Sequence, residues 1–404
     1  MNYQMDGFKT HLTEKIVPFW NNLVDEEYGG FYGLMDVEHN VDRKADKGMI
    51  LNSRILWFYS NCYILLTEDE NRDDYIKKAK CAYDFLCKYG FDQDNPGIFW
   101  MLSYDGKPVD TTKHSYNQAF AIYALSSYYA ASRDAEALEK AKVLYELLES
   151  RCFKNGGYEE AFKRDYSGLV DNDKLSENGV IASRTMNTLL HIWEAYTELY
   201  RVMDKGDELL GKVSESMNRI LGIFCEKIYS PQNRRLEVFF DDNYNSLIDL
   251  YSYGHDIEAS WLLDRGIDVL GDMIDSDIKS KAEEIIDTLI DHVYEQGYDK
   301  ARHAVMAECE NGVDAIQKIW WVQAESIIGF TNGYQRHNDR TEYRQAAIDI
   351  WDFTLAEIVD NTDGGEWFQE KDSKEGEKLP MVSPWKCPYH NGRMCIEMIR
   401  RLCR

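Results

Sequence analysis

Gly29-Gly30-Phe31-Tyr32-Gly33 is the first of six short glycine- or aromatic-rich stretches that alternate with helix-patterned segments of the chain. Each stretch has the character of a short strand. Successive stretches lie roughly 60 to 80 residues apart, which is the length of two helices and their loops. The other five are residues 97–100, 156–158, 235–240, 303–306 and 364–368. This spacing predicts a two-helix unit that is used six times.

Apolar residues recur at helical spacing in about twelve segments of the chain. Helices are predicted near residues 5–24, 48–66, 73–89, 114–132, 134–150, 178–203, 207–227, 254–273, 276–297, 317–337, 341–358 and 390–403. Six helix pairs share one core when they form a ring with inner helices packed inside outer ones. We therefore predict an all-α fold, an (α/α)6 barrel with short β-hairpin pieces in its loops, in preference to an open helical solenoid.

Residues 1–404 are expected to form a single (α/α)6-barrel catalytic domain, because no proline-rich or serine-rich linker divides the chain. The charged stretch at residues 371–378 predicts one exposed loop. In a closed barrel the inner helices begin around one central cavity. Polar and aromatic residues at those helix starts are therefore candidates for a functional site.

Charge and cysteine usage narrow the range of partners and compartments. A net charge of -25 argues against nucleic acid or an anionic membrane as a partner, since both attract clustered cations. The nine cysteines are scattered without CxxC spacing, which is typical of free thiols in a reducing compartment. No signal-like N-terminal segment and no membrane-length apolar run is present. We expect a cytoplasmic protein, a monomer or homodimer.

Two histidines share a helix face with another polar residue. Asn187 and His191 are four residues apart in an apolar helix, which indicates either a buried polar network or the lining of a cavity. His255 and Glu258 are three apart at a helix start, where an imidazole can titrate near neutral pH. Their HxxE spacing also suits a metal, but no neighbouring residue supplies the third ligand that a metal site needs.

A third histidine, His390, opens the last helix and follows Trp385 by five residues. Aromatic rings stack on the apolar faces of sugars, so Trp385, together with Trp321 and nearby Glu325, is a candidate sugar-binding set; filling of the core is the alternative for any single tryptophan. Arg54 is a lone cation in an apolar helix, and it requires a carboxylate or a polar ligand.

Four motifs, in the same order along the chain, resemble those of the N-acylglucosamine 2-epimerase superfamily, and most closely those of its cellobiose 2-epimerase branch. They are residues 253–263 (YGHDIEASWLL), 184–191 (RTMNTLLH), 320–325 (WWVQAE) and 384–393 (PWKCPYHNGR). The resemblance covers essentially the whole chain. It implies an (α/α)6 barrel that inverts C2 of the reducing-end glucose of β-1,4-linked disaccharides, such as cellobiose or lactose, without a cofactor.

The resemblance also implies roles for individual residues. His255 and His390 match an acid/base pair, and His191 matches a third active-site histidine. Seven other residues match positions that bind sugar or support the histidines: Arg54, Tyr116, Asn187, Glu258, Trp321, Glu325 and Trp385. The implied reaction opens the sugar ring, removes the C2 proton to give a cis-enediol(ate), and reprotonates C2 on the opposite face.

Four other functions are also compatible with the sequence. An N-acylglucosamine 2-epimerase or a mannose-type aldose-ketose isomerase shares the superfamily. An inverting glycoside hydrolase needs two carboxylates about 6.5 to 9.5 Å apart, for which Glu258 and Glu325 are available. A carbohydrate-binding protein without catalysis requires only the tryptophans.

Overall fold

The computed structural model describes residues 2–175, 178–372 and 379–403, with side chains from Gly7 onward. Most of the predicted loop at 371–378 therefore lies outside the described residues. Six helices form an inner layer in which nearly all side chains of the first turns are buried. They are α3 (Met49–Leu65), α5 (Ser115–Ser132), α7 (Met186–Val202), α9 (Tyr253–Leu270), α11 (Trp320–Arg336) and α13 (His390–Leu402). Helix α3, for example, is buried at every position from Met49 to Cys62.

The outer layer consists of amphipathic helices, each packed on one inner helix. Helix α1 (Asn2–His11) packs on α13 and continues through a π-helical turn, Leu12–Ile16, into α2 (Val17–Asn21). The other outer helices pack on the inner helix that precedes them in the chain. They are α4 (Arg72–Phe85), α6 (Ala135–Leu147), α8 (Leu210–Ile223), α10 (Ser276–His292) and α12 (Thr341–Phe353). Each of these five ends in a five-residue π-helical turn.

The inner helices close into a ring. Each contacts the next inner helix along the chain, and α13 contacts α3. This last contact distinguishes a closed barrel from an open solenoid, so the predicted (α/α)6 barrel is confirmed. The single ring favours the one-domain organisation, which stays a prediction. No helix of the described residues is long and apolar enough to cross a membrane.

Each of the six predicted strand-like stretches pairs with the residues that follow an outer helix and its π-helical turn. Isolated bridges join Val24 to Phe31, Phe91 to Ile98 and Val359 to Trp367. In the other three repeats the pairs are β5 with β6, β9 with β10, and β13 with β14. Their bounds are Phe153–Lys154 (β5), Gly157–Tyr158 (β6), Tyr229–Ser230 (β9), Arg235–Leu236 (β10), Tyr298–Asp299 (β13) and Ala304–Val305 (β14).

Short strands also precede five of the inner helices. They are β1 (Lys47–Gly48), β4 (Lys113–His114), β8 (Arg184–Thr185), β12 (Leu250–Ser252) and β17 (Lys318–Ile319). Their partners, all antiparallel, come from the loops of the same end: β2 (Met101–Leu102) with β3 (Pro108–Asp110), β7 (Ala161–Phe162), β11 (Phe239–Phe240), β15 (Glu308–Glu310) with β16 (Val313–Ala315), and β18 (Glu370–Lys371).

The helix predicted from residue 207 begins at Leu210, and two other predicted helix starts are displaced by strands. The helix predicted from residue 178 begins at Met186, because Arg184 and Thr185 pair with Phe240 and Phe239 in a two-stranded sheet. The helix predicted from residue 317 begins at Trp320, because Lys318–Ile319 forms β17. In both cases the strand hydrogen bonds hold the chain extended, and the helix starts only after them.

A polar side chain in the first turn of several inner helices fixes the hairpin beside it. Gln118 accepts a hydrogen bond from the Ile98 amide (2.8 Å) and donates to its carbonyl (3.0 Å). Gln323 bonds Val305 in the same way, at 2.9 and 2.8 Å. Because these buried groups satisfy one another, the hairpins are anchored at the N-terminal ends of the inner helices. The helix starts therefore form one shared end of the barrel.

A buried lysine just before an inner helix recurs as a second repeat feature. Lys47 binds Asp25 at 2.6 Å, Lys113 binds Asp92 at 3.1 Å, and Lys386 binds Glu366 at 2.5 Å. All six side chains are fully or almost fully buried, and a paired buried charge avoids the large cost of an unpaired one. These pairs lock the loop before the helix onto the hairpin behind it.

Candidate active site

A cavity opens at the end of the barrel where the inner helices begin. Its walls include nine of the ten side chains that the sequence singles out: Arg54, Tyr116, Asn187, His191, His255, Glu258, Trp321, Trp385 and His390. The tenth, Glu325, is fully buried and contacts His390 from behind. Residues from six inner helices and their preceding loops therefore converge on one site.

His390 is the first residue of α13 and is held by a carboxylate. Its Nδ1 lies 2.7 Å from Glu325 Oε1, and only 7% of the residue is exposed. Since Nδ1 is engaged, Nε2 is the nitrogen left for chemistry. Burial lowers the pKa of His390 well below its ordinary value, and the nearby Arg393 and Arg54 add to this effect. A neutral imidazole with Nε2 unprotonated is a competent base.

His255, in the first turn of α9, is held differently. Its Nδ1 lies 2.7 Å from the hydroxyl of Ser252, whereas Glu258 is engaged elsewhere. Burial lowers the pKa of His255 from 6.5 to about 4, so this imidazole is also neutral at pH 7. The indole of Trp321 contacts both imidazoles, with ring centroids 4.8 Å from His255 and 5.5 Å from His390. Two uncharged histidines are thus packed against one ring at the cavity.

His191, one turn into α7, repeats the HxxE spacing but uses it in another way. Its Nδ1 lies 3.0 Å from the carboxylate of Glu194, three residues on. The ring meets Tyr116 edge-on at 5.1 Å. The same spacing therefore joins histidine to glutamate in α7 but not in α9, where Glu258 bonds an arginine and His255 bonds Ser252. Spacing alone does not distinguish these outcomes.

That arginine is Arg393, which lies fully buried behind the cavity and binds three carboxylates. Its Nη1 donates to Glu194 (2.5 Å), and its Nη2 donates to Glu325 (2.7 Å) and to Glu258. Tyr389 also donates to Glu194, at 2.5 Å. The guanidinium holds the pKa of Glu194 well below its usual range. One residue thereby fixes the carboxylates that lie behind His191 and His390.

Arg54 contrasts with Arg393, because no carboxylate in the described part of the chain forms an ion pair with it. It is 3% exposed, donates to the Tyr116 hydroxyl at 2.8 Å and lies over the rings of Phe120 and Tyr389, 4.2 and 4.6 Å from their centroids. A buried cation without a counter-charge is costly unless a ligand supplies one. Of the two partners that the sequence left open, the structure favours the polar ligand.

Trp385 and the outer loops complete the cavity. The Trp385 ring lies 6.0 Å from Tyr116 and 5.8 Å from Trp100, centroid to centroid, and is only partly buried. The wall also includes Lys174 and Asn178 from the loop after β7, and Glu308 from β15. Aromatic rings and histidines therefore share the cavity with charged and polar side chains from the loops.

The spacing of Glu258, Glu325 and His390 would suit a cation, because one ligand atom of each lies within 4.8 Å of the others. However, Arg393 donates to both carboxylates. The guanidinium therefore already supplies the positive charge at this position. These residues fit an arginine-centred network better than a metal site.

Four residues of the site were not singled out from the sequence: Ser252, Glu194, Tyr389 and Arg393. The HxxE spacing after His191 is a signal that would have found Glu194. Tyr389 and Arg393 stand within the quoted motif around His390, at helical spacing of four from each other. No signal in the sequence marks Ser252 as a partner of His255, since serine before a helix is ordinarily a cap.

His114 is a buried histidine that does not line the cavity. It is 1% exposed, packs 4.4 Å from the Trp100 ring centroid, and burial lowers its pKa from 6.5 to about 4. Burial and packing on Trp100 are typical of a histidine with a structural role.

The pH dependence of stability tests this environment of His114. Below pH 6.5 the unfolded chain binds a proton at His114 that the folded chain takes up only near pH 4, so stability present above pH 6.5 is lost as the pH falls. We expect His114→Asn to reduce the slope of the unfolding free energy against pH in this window by about 1.4 kcal/mol per pH unit. Urea unfolding at pH 4.5, 5.5 and 6.5 measures the slope, and an unchanged slope contradicts the assignment.

Comparison with known proteins adds the family. The model of the N-acylglucosamine 2-epimerase (GlcNAc 2-epimerase) family matches residues 29–392. The chain belongs to this family. The match spans the helix starts that carry the cavity, so the site is built from the part of the chain that the family shares. The family assignment agrees with the resemblance seen in the four motifs.

Similar members of the family cover nearly the whole chain. A cellobiose 2-epimerase of Eubacterium cellulosolvens is 48% identical over 402 residues, with 96% of each chain covered. A solved structure of cellobiose 2-epimerase from Bacillus thermoamylovorans B4167 superposes with a TM-score of 0.91 at 39% identity, covering 99% of this chain and 100% of that one. A sugar epimerase from a ruminal bacterium gives a TM-score of 0.92 at 44% identity, with 98% and 99% covered.

Proposed function

We propose that this protein is a cellobiose 2-epimerase, which inverts C2 of the reducing-end glucose of β-1,4-linked disaccharides. The observation that carries the proposal is the pair of neutral histidines that pack against one tryptophan in the cavity, each with Nδ1 bonded to a partner and Nε2 available for chemistry. The near full-length likeness to proteins of that name supports it. The proposed substrates are cellobiose and lactose, since both have a glucose at the reducing end whose C2 can be inverted.

The reaction requires two proton-transfer groups at one carbon. The C2 proton of an aldose becomes acidic only in the open chain, where the C1 carbonyl takes up charge as an enediol(ate). One histidine assists ring opening, and His390 then removes the C2 proton of the glucose form. After rotation about the C2–C3 bond, His255, which takes up a proton from solvent at Nε2, delivers it to the opposite face, and His390 releases the C2 proton to solvent. Holding both groups against one bound sugar makes each step effectively intramolecular.

The pairing of His390 with Glu325 supports its role as the base. The carboxylate accepts from Nδ1–H, which keeps the Nε2 lone pair available and stabilises the imidazolium that forms when the C2 proton arrives. His191, held by Glu194 beside Tyr116, is proposed to assist ring opening or to bind a sugar hydroxyl.

Arg54 and Tyr116 are proposed to stabilise the enediolate. The cation of Arg54 has no carboxylate partner among the described residues, so a negative charge that develops on O1 or O2 would provide one. In a cavity with little water such a preorganised charge acts more strongly than in solution. The Trp385 ring is proposed to stack on the apolar face of the reducing-end sugar. Asn187 and Glu258 are proposed to bind hydroxyl groups of that sugar.

The role of Arg54 gives a test in which activity and stability respond in opposite ways. We expect Arg54→Met to lower kcat/KM for cellobiose by about 10²- to 10³-fold, because a transition-state charge loses its partner. The free energy of unfolding should stay unchanged or rise, because an uncompensated buried charge is removed. Initial rates and urea unfolding measure the two effects.

Arg72→Met is the matched control for this test. Arg72 also lies over an aromatic ring, Tyr63, at 4.0 Å, but it belongs to the outer helix α4. Its removal should leave kcat/KM unchanged. If Arg54→Met lowers stability by several kcal/mol and leaves activity intact, Arg54 is a structural residue and the proposed role is wrong.

The short distance between the two candidate carboxylates, and their shared bond to Arg393, disfavour an inverting glycoside hydrolase. Glu258 and Glu325 approach within 4.8 Å and share Arg393, whereas an inverting pair needs about 6.5 to 9.5 Å and one acid kept free for the leaving group. Both carboxylates are committed to the guanidinium.

Incubation with cellobiose in D2O, followed by NMR, separates the proposed function from its rivals. We expect glucosyl-mannose with deuterium at C2. A ketose product would instead indicate an isomerase, because the proton would return to C1. Free glucose would indicate hydrolysis, and absence of exchange would indicate a binding protein. Parallel reactions with N-acetylmannosamine and mannose test the other family activities.

We propose further that the protein acts in the cytoplasm, as a monomer or homodimer, on a free disaccharide. Eight of the cysteines, from Cys62 to Cys395, form no disulfide in the structure, which supports a reducing compartment.

A further inference from the structure

Ser252 occupies the N-cap position of α9 but does not cap the helix. Its backbone is extended (φ -88°, ψ 96°), as an N-cap requires, yet its side chain accepts no hydrogen bond from the amides of the first turn. Its hydroxyl lies instead 2.7 Å from Nδ1 of His255, the third residue of the helix. A serine at this position ordinarily bonds the backbone amide of that third residue.

The neighbouring repeat shows the ordinary arrangement. Thr185 is the N-cap of α7, and its hydroxyl accepts from the Thr188 amide, the third residue of that helix, at 3.0 Å. The two caps occupy equivalent places at the same end of the barrel. Helix α9 therefore forgoes a capping hydrogen bond, and the hydroxyl that would make it is used on the side chain of His255.

The chemistry of a hydroxyl differs from that of the carboxylate behind His390. Glu325 only accepts, so it requires a proton on Nδ1 of His390. A serine hydroxyl both donates and accepts, so it satisfies Nδ1 whether that nitrogen carries a proton or a lone pair. His255 can therefore be neutral with its proton on either ring nitrogen, or carry a proton on both, without losing its partner.

We propose that Ser252 is a positioning residue of the epimerisation, which orients His255 in each of its protonation states. This inference rests on the proposed function and deepens it. His255 gives a proton to C2 in one direction and takes it in the other, and the Ser252 hydroxyl bonds Nδ1 in both of these states. Ser252 is 5% exposed, so water does not replace it as this partner.

The test is the fate of the label when Ser252→Ala reacts with cellobiose in D2O. His390 still removes the C2 proton and returns a deuteron on the same face, whereas delivery from His255 is impaired. We expect kcat for epimerisation to fall about 10- to 100-fold, with KM within about twofold. Deuterium in recovered cellobiose should rise about tenfold relative to deuterium in the epimer.

Ser252→Thr retains the hydroxyl and should restore the wild-type ratio of the two labelled sugars. Asp275→Ala is the cap control: it removes hydrogen bonds to the Asp277 and Ile278 amides of outer helix α10, at 3.0 Å each, and should lower the melting temperature with the ratio unchanged. If Ser252→Ala does not fold, Ser252→Cys, with a weaker partner of similar size, provides the same comparison.

The outcomes separate the two proposals. Equal loss of label in both sugars, or no loss at all, in Ser252→Ala overturns the positioning role, while wild-type exchange upholds the epimerase. Absence of C2 exchange in the wild-type protein removes the epimerase proposal, and the role of Ser252 falls with it.

Discussion

Replacing His390 by alanine is expected to lower kcat/KM for the conversion of cellobiose by about 10²- to 10⁴-fold, the usual contribution of a positioned acid or base. His390 is the imidazole backed by Glu325, and burial keeps it neutral, so it is the group prepared to accept the C2 proton. No other side chain at the first turn of α13 can take its place, since Asn391 is not basic.

Because His390 and His255 are proposed to act on opposite faces of C2, isotope exchange distinguishes their roles. In D2O, His390→Ala should fail to exchange the C2 proton of cellobiose, and His255→Ala should fail to exchange that of glucosyl-mannose. Each variant is expected to retain slow exchange from the other sugar. NMR of the recovered substrates, taken before significant conversion, measures both.

His337→Ala is the control. The His337 side chain is 45% exposed, and the residue directly follows α11, at the end of that helix opposite the cavity. It should leave both exchange rates unchanged. If His390→Ala exchanges cellobiose as fast as the wild-type protein, another group removes the proton, and the assignment of the base is wrong.

Replacing Arg393 by methionine is expected to destabilise the fold by about 3 to 5 kcal/mol, the cost of leaving buried charges without a partner. Arg393 is completely buried, and it is the guanidinium to which Glu194, Glu258 and Glu325 all bind. Without it, three carboxylates in the centre of the barrel repel one another. Urea unfolding, followed by circular dichroism, measures the loss.

Two further variants make this result specific. Arg234→Met removes an exposed ion pair with Glu295, with side chains 44% and 48% exposed, and should change the unfolding free energy by less than about 0.5 kcal/mol. Adding Glu258→Gln to Arg393→Met removes one of the unpaired charges and should recover part of the lost stability. If the double variant is no more stable than Arg393→Met, charge repulsion is not the cause.

The fold could be predicted from the sequence because its repeat is local. A helix pair and a hairpin occupy contiguous residues, so periodicity and the six glycine- or aromatic-rich stretches predict them. The starts of α7 and α11 cannot be predicted from the local sequence. The strands that precede them, β8 and β17, pair with residues about 50 positions farther along the chain, at Phe239 and Glu370. Local propensity carries no information about such partners.

The candidate site shows the same division. The motifs identified the histidines, and the structure brings His191, His255 and His390 to one cavity together with Arg54 and Trp385. The residue types and their helical spacing were therefore determined by the sequence alone, since an imidazole at a helix start keeps its chemistry in any fold.

Only the tertiary structure decided which partner each histidine has. His191 and His255 stand in the same HxxE spacing, yet one is held by Glu194 and the other by Ser252. Glu194 bonds Arg393 through Oε1 and His191 through Oε2, whereas Glu258 bonds Arg393, more than 130 residues away in sequence, and His255 bonds the helix cap. Hydrogen-bond partners are set by competition among all buried charges at once, and that competition exists only when the ring has closed.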